Sequence, residues 1–163
     1  MKGKITILCG LPGSGKTWYT KDFEGKDSVV IFNLDKELFK RFGKDFPPEK
    51  YHEYEKETKK DLLEQAYEHL KQNIHVIFDY GFWKEKEREE YRKFALENDF
   101  DFELVYFPVP VAVLKKRLGD RNINEIENNH LISKEMLDDF VNQFEAPKDY
   151  EKAIEYQKVP NSH

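Results

Sequence analysis

The chain has 163 residues, of which 39% are hydrophobic and 36% charged, and its formal net charge is −5 at pH 7. This length suits one domain, residues 1–163, and a net negative surface modestly favours small substrates over a polyanion such as nucleic acid. No apolar run is long enough to cross a membrane or to act as a secretory signal, and the one cysteine excludes an internal disulfide, so we expect a cytoplasmic protein.

Apolar strands alternate with amphipathic helices along the chain. Strands are predicted at residues 4–9, 29–32, 74–78, 102–107 and, at the edge, 153–159. Helices are predicted at residues 15–23, 36–42, 49–72, 84–97, 110–119 and from 133 onward. Because parallel strands need crossover connections that are normally helical, this order predicts a three-layer α/β fold around a parallel five-stranded sheet.

Four details of these elements are also predicted. Gly119 is expected to end the fifth helix, and the polar residues 120–130 are expected to form a mobile loop. Ser133 is expected to cap the last helix. The mixed charges of residues 84–93, KEKEREEYRK, are typical of a solvated helix face.

Residues 10–17 satisfy the phosphate-binding pattern GxxxxGK[ST] between a predicted strand and a predicted helix. Glycines let backbone N–H groups turn toward phosphate oxygens, and the helix N-terminus adds partial positive charge. Lys16 is predicted to reach the β and γ phosphates and Thr17 to bind Mg²⁺. ATP is favoured over GTP because no NKxD-type motif is present. The residues predicted to bind the nucleotide are Gly10, Leu11, Pro12, Gly13, Ser14, Gly15, Lys16 and Thr17.

Two aspartates follow predicted strands at the sheet edge that carries this loop. Asp35, in NLDK, is predicted to accept the proton of an acceptor hydroxyl, with a helix N-cap as the alternative role. Asp79, in VIFDYGFW, has the form of a carboxylate that holds Mg²⁺ directly or through water, with a turn-forming aspartate as the alternative.

Arg117 and Arg121 lie four residues apart and share one helical face if the helix extends that far. They are predicted to close over the phosphates as part of a lid at about residues 117–132, where they would neutralise charge on the transferred group and exclude water. The alternative is a solvated basic helix end that interacts with the helix dipole.

Together these residues resemble the compact P-loop kinases of the polynucleotide kinase, zeta toxin and chloramphenicol phosphotransferase group. The resemblance spans nearly the whole chain and rests on ILCGLPGSGKTW, NLD, FDYGFW, LKKRLGDRN and FEAPKDYE. Its closest form resembles the bacterial predicted kinases of the AAA_33 type, which share DxGFW, RxxxRN and FExP signatures. It implies a nucleoside-kinase-like P-loop fold with a small helical lid, Asp35 as general base, Lys16 and Thr17 binding ATP and magnesium, and Arg117 or Arg121 contacting the transferred phosphate.

The chain departs from the polynucleotide kinase pattern at one position. That enzyme places an arginine for the acceptor phosphate three residues after its catalytic aspartate. Here that position is Leu38, and Arg41 is the nearest candidate. The departure weakens the nucleic-acid interpretation.

The sequence therefore predicts a kinase that moves the γ-phosphoryl group of Mg·ATP to a hydroxyl of a small molecule. Two alternatives stay open: a 5′-hydroxyl nucleic-acid kinase, and a nucleotide-dependent regulatory ATPase without a phosphorylated acceptor. The sequence identifies neither the acceptor nor the oligomeric state.

Overall fold

The computed structural model describes residues 2–124 and 134–156. Strands and helices alternate along most of the chain, with short 3₁₀ turns at Pro48–Lys50 and Asp149–Glu151. The strands are β1 (Lys4–Cys9), β2 (Val29–Asn33), β3 (His75–Gly81), β4 (Asp101–Tyr106) and β5 (Ile154–Glu155). The helices are α1 (Lys16–Lys21), α2 (Leu34–Phe42), α3 (Tyr51–Lys71), α4 (Glu85–Glu97), α5 (Val111–Asn124) and α6 (Lys134–Gln143).

The five strands form one parallel sheet in the order β2-β3-β1-β4-β5. β1 is central, and its Ile7 pairs with Phe78 of β3 on one side and Leu104 of β4 on the other. All carboxyl ends therefore meet at one edge of the sheet, where ligands bind in folds of this class. The predicted parallel five-stranded α/β architecture is confirmed.

Helices cover both faces of the sheet because successive strand residues point to opposite sides. Ile5, Ile7 and Cys9 pack into one core that also contains residues of α3 and α4, such as Ala66 and Tyr91. Leu8 faces the other side and packs in a core that Tyr19 and Phe23 cover. A third cluster joins Leu11, in the loop after β1, to Leu114 of α5 and Leu137 of α6.

Two predicted details are wrong. α5 does not end at Gly119 but continues to Asn124, because a glycine inside a helix costs only about 1 kcal/mol and does not force an end. Gly119 also lacks the positive φ of a helix-terminating glycine. Arg88, inside the stretch predicted to be solvated, is 2% exposed. The rest of the predicted loop, residues 125–130, and Ser133 lie outside the described residues.

Within the described ranges, no helix combines the length and the apolar character that crossing a bilayer requires.

Candidate functional site

The loop of residues 10–17 connects β1 to α1, and its glycines are needed for its shape. Gly13 and Gly15 have φ angles of 81° and 113°, in the left-handed region that favours glycine. A Cβ atom on Gly10 would lie 2.5 Å from the Ser14 hydroxyl. The Gly10 N–H donates to the carbonyl of Gly81 at 2.9 Å, which ties the loop to the end of β3.

The interior of the loop offers donors to an anion. α1 begins at Lys16, and its N-cap, Gly15, makes no side-chain cap, so the first backbone N–H groups face the loop. The Lys16 Nζ donates to the carbonyls of Gly10 and Leu11 at 2.9 and 3.1 Å. The Ser14 hydroxyl is buried and has no hydrogen-bond partner among the described residues. A buried hydroxyl of this kind, beside a glycine cradle and a lysine, fits a phosphate group.

Asp79 lies near this loop, on β3. Its side chain is 8% exposed, and its carboxylate accepts a hydrogen bond from the Asn33 amide at 3.0 Å. Burial raises the pKa of Asp79, while the Lys16 charge and the Asn33 hydrogen bond act in the opposite direction. The structure therefore brings Asp79 and Lys16 together at one edge of the sheet.

Asn33 is a site residue that the sequence analysis missed. Its Oδ1 accepts from the Lys36 N–H at 3.0 Å and so caps α2, while its Nδ2 donates to Asp79. The cap considered for Asp35 thus belongs to Asn33. An asparagine between a predicted strand and a predicted helix is a preferred N-cap, and this signal in NLDK would have identified it.

Asp35 is exposed in the first turn of α2, beside a cleft of about 200 Å³. Its negative charge contributes, after burial, to raising the pKa of Asp79 and of Tyr51, so its carboxylate lies near both groups. The cleft is bounded by parts of α1, β2, α2 and β3, and its lining residues are Thr20, Glu24, Ile31, Phe32, Asn33, Lys36, Glu37 and Asp79.

The predicted lid arginines both lie on α5. Arg117 is half-buried, and its Nη1 donates to the Gly13 carbonyl at 3.0 Å, so it reaches the phosphate loop. The side chain of Arg121 and the predicted lid residues 125–132 lie outside the part of the chain that the structure describes.

Few side chains among the described residues are placed to bind a metal ion. Among the described residues, no three His, Cys, Asp or Glu side chains form a group that could hold a metal ion. Thr17 is exposed at the start of α1, and its hydroxyl and the Asp79 carboxylate are the oxygen ligands that Mg²⁺ prefers. Mg²⁺ is commonly held by one or two such groups together with substrate phosphates, so these residues fit that ion.

Comparisons with known proteins agree with this geometry. The AAA_33 family, described as an AAA domain, matches residues 5–147. An L-seryl-tRNA(Sec) kinase of Methanococcus maripaludis is 26% identical over 150 residues, which cover 88% of this chain and 53% of that protein. The chain therefore spans about half the length of this curated relative.

Two solved structures share the fold. A chain from the Pnkp1/Rnl/Hen1 RNA repair complex matches with a TM-score of 0.67 and 26% identity, over 93% of this chain and 45% of that chain. A gluconokinase from Sinorhizobium meliloti 1021 matches with a TM-score of 0.60 and 15% identity, over 96% and 82% of the two chains. The predicted P-loop kinase fold is confirmed.

Proposed function

The chain belongs to the AAA_33 family, as its motifs predicted, and we propose that it is a kinase that transfers the γ-phosphoryl group of ATP to a hydroxyl of a small molecule. Family membership implies nucleotide use. The observation that carries the proposal is Asp79, which lines an open cleft and lies near both Lys16 of the phosphate loop and Asp35, while Arg117 contacts the loop at Gly13. A protein that only bound nucleotide would need the loop but not a carboxylate beside an acceptor cleft.

The nucleotide side of the site is formed by the loop. The backbone N–H groups and Lys16 would hold the β and γ phosphates, and Thr17 and Asp79 would hold Mg²⁺, which supplies charge neutralisation when it is bound. Lys16 and Asn33 both favour the charged form of the Asp79 carboxyl, the form that binds a cation. Arg117, held at the Gly13 carbonyl, would neutralise charge on the transferred group.

The acceptor side is formed by α2. Asp35 would accept the proton of the acceptor hydroxyl while the hydroxyl oxygen bonds to the γ phosphorus and the bond to the β-phosphate oxygen breaks, releasing ADP. Residues 117–132 would form the lid of this single domain, with residues 117–124 contributed by the end of α5.

A small acceptor without phosphate is supported by the lack of an unpaired arginine on α2. Leu38 is 3% exposed and belongs to the core, so that position offers no cation, and Lys36 is the basic residue of α2 that lines the cleft. Arg41 already pairs with Glu37 at 3.0 Å and with Asp61 at 2.7 Å. The hydrogen bond that Arg41 donates to Asp61 is the main cause that raises the pKa of Arg41, so this cation is held by carboxylates. An incoming phosphate would have to compete with both of them.

A 5′-hydroxyl nucleic-acid kinase is the second candidate, because the similar structures include a chain of an RNA repair complex. It predicts ATP consumption that an oligonucleotide stimulates and salt suppresses. A regulatory ATPase would instead form a nucleotide-dependent protein complex and leave no phosphorylated acceptor.

The proposal is tested by following label from γ-labelled ATP into matched acceptors. The panel pairs nucleosides, sugars and amino alcohols with 5′-hydroxyl oligonucleotides, and Lys16→Ala is the inactive control. We expect label in an uncharged or amine-bearing alcohol. Preferential labelling of the oligonucleotide would establish the second candidate, and label released only as phosphate would favour the regulatory ATPase.

The role of Asp35 is tested in the same assay. Asp35→Asn should nearly abolish transfer and leave ATP binding intact, because the amide cannot accept the proton. The matched control is Asp101→Asn, an exposed aspartate at the opposite ends of the strands, where β4 begins. Full turnover in Asp35→Asn would rule out its assignment as base.

A further inference from the structure

The carbonyl of Gly10 accepts hydrogen bonds from two side chains. One donor is the Lys16 ammonium at 2.9 Å, and the other is the Trp83 indole N–H at 3.2 Å. A lysine that turns toward a phosphate gives up its bond to this carbonyl. Gly10 is buried, and a buried carbonyl without a partner is costly, so the indole N–H is what keeps it bonded.

The Trp83 ring is held between the phosphate loop and the C-terminal helices. It belongs to the apolar cluster of Leu11, Leu114 and Leu137, and its centroid lies 4.9 Å from that of Phe140 on α6. Its backbone carbonyl accepts from the Glu145 N–H at 2.8 Å. The position of the indole therefore depends on residues that follow it by about sixty positions in the chain.

The same distant segment fixes the backbone just before Trp83. Phe82 has a φ of 46°, a conformation that bulky residues rarely adopt, and it is 1% exposed. Its carbonyl accepts from Arg88 at 3.0 Å and from the Cys9 thiol at 3.3 Å. Arg88 is in turn bound by Glu151 through two hydrogen bonds of 2.7 and 3.1 Å.

We call residues 143–151 the C-terminal strap. Besides Glu145 and Glu151, it contributes the Gln143 carbonyl, which accepts from the Lys84 ammonium at 2.8 Å. The Glu145 carboxylate also accepts from the Glu85 N–H at 3.0 Å, at the start of α4. The FEAPKDYE motif therefore contacts the FDYGFW motif, through the Glu145 N–H and the Trp83 carbonyl.

We propose that Trp83, held by the C-terminal strap, is a positioning residue for Lys16. Its N–H keeps the Gly10 carbonyl bonded when Lys16 turns to the nucleotide, and so favours release of the lysine toward the phosphates. The inference goes beyond phosphoryl transfer, since it concerns nucleotide binding alone. A chain that bound ATP without passing on its phosphate would still test it.

The test is a double-mutant cycle on nucleotide binding. Trp83→Phe removes the N–H and keeps an aromatic ring against Phe140, and each variant is titrated with a fluorescent ATP analogue in Mg²⁺. We expect about tenfold weaker binding in the wild-type background, the cost of one unpaired buried carbonyl, and less than about a twofold change in the Lys16→Ala background.

A merely structural role gives a different result. If Trp83 only supports the fold, its replacement weakens binding by the same factor with and without Lys16, and this equality would overturn the proposal. Unchanged binding in Trp83→Phe would overturn it as well. Should Trp83→Phe fail to fold, the same cycle is run with a benzothiophene analogue of tryptophan, which keeps the ring shape but has no N–H.

Discussion

Arg88→Met is expected to destabilise the protein strongly, because it breaks a buried ion pair from one side. The side chains of Arg88 and Glu151 are 1% and 2% exposed, and the guanidinium and carboxylate face each other through two hydrogen bonds. In the variant the Glu151 carboxylate stays buried, with the Lys148 N–H still donating to it at 2.8 Å. The Phe82 carbonyl also loses a donor.

The size of the effect follows from these losses. Removing one partner of a buried pair costs about 3–5 kcal/mol because the other charge is left uncompensated. For a chain of 163 residues, 1 kcal/mol corresponds to about 2–4 °C in Tm, so we expect Tm to fall by about 6–20 °C. The total stability of a domain is about 5–15 kcal/mol, so the expected loss is about a fifth of that stability or more.

Thermal unfolding followed by circular dichroism measures this, with Arg92→Met as the matched control. Arg92 lies one turn further along α4, and its pair with Glu89 is at 3.5 Å with both side chains more than a third exposed, so its loss should cost under about 1 kcal/mol. Arg88→Met/Glu151→Leu should recover at least half of the loss, since apolar replacement of a whole buried pair is often neutral. A Tm loss no larger than that of Arg92→Met, or a double variant with the summed losses, would refute the reasoning.

Three further predictions concern the site and the sheet. Arg117→Ala should lower turnover by about a hundredfold with nearly unchanged Tm. Lys116→Ala, at the adjacent exposed position, should leave turnover unchanged. Equal turnover in the two variants would exclude Arg117 from the site. Burial raises the pKa of Asp79 above the ordinary aspartate pKa. The protein therefore loses stability as pH rises from the ordinary aspartate pKa through the raised pKa, because the buried carboxyl becomes charged. Asp79→Asn should therefore unfold at a Tm at or above that of wild type at pH 8 and lose this advantage at pH 4, and a lower Tm at pH 8 would contradict this. Burial lowers the pKa of His75, so the protein loses stability as pH falls below the ordinary histidine pKa. His75→Gln should therefore show a smaller drop in Tm than wild type between pH 7.5 and pH 5. An equal drop in the two proteins would exclude His75 as the cause.

β1 to β4 were predictable because each contains a short apolar run, which a strand inside a parallel sheet requires. The end of α5 was not predictable from the sequence, since the extent of this helix depends on contacts between separate elements. Leu114 packs against α6, and Arg117 is bound to the Gly13 carbonyl, so contacts with other elements hold the part of the helix that precedes Gly119. A single glycine at position 119 is a weak local signal beside those contacts.

The phosphate loop was predictable because its chemistry is contiguous in the chain. Asn33 was harder, since its second role depends on Asp79, which pairs with it in register across β2 and β3. Arg88 was misjudged because its neighbours in the sequence are charged and solvated. Its partner Glu151 lies 63 positions away, and only the folded chain shows that the two charges are buried together.

Similarity to other proteins says more about the nucleotide side of the site than about the acceptor side. Nucleotide binding needs the loop itself, and the family match over residues 5–147 includes that loop. In the proposed function the acceptor side is formed by α2, and side chains there can change without a change of fold. The relatives with RNA in their names are 26% identical, and this chain spans about half of each. We therefore give more weight to the pairing of Arg41 with Glu37 and Asp61, which leaves a phosphate no unengaged arginine on α2 and favours an acceptor without one.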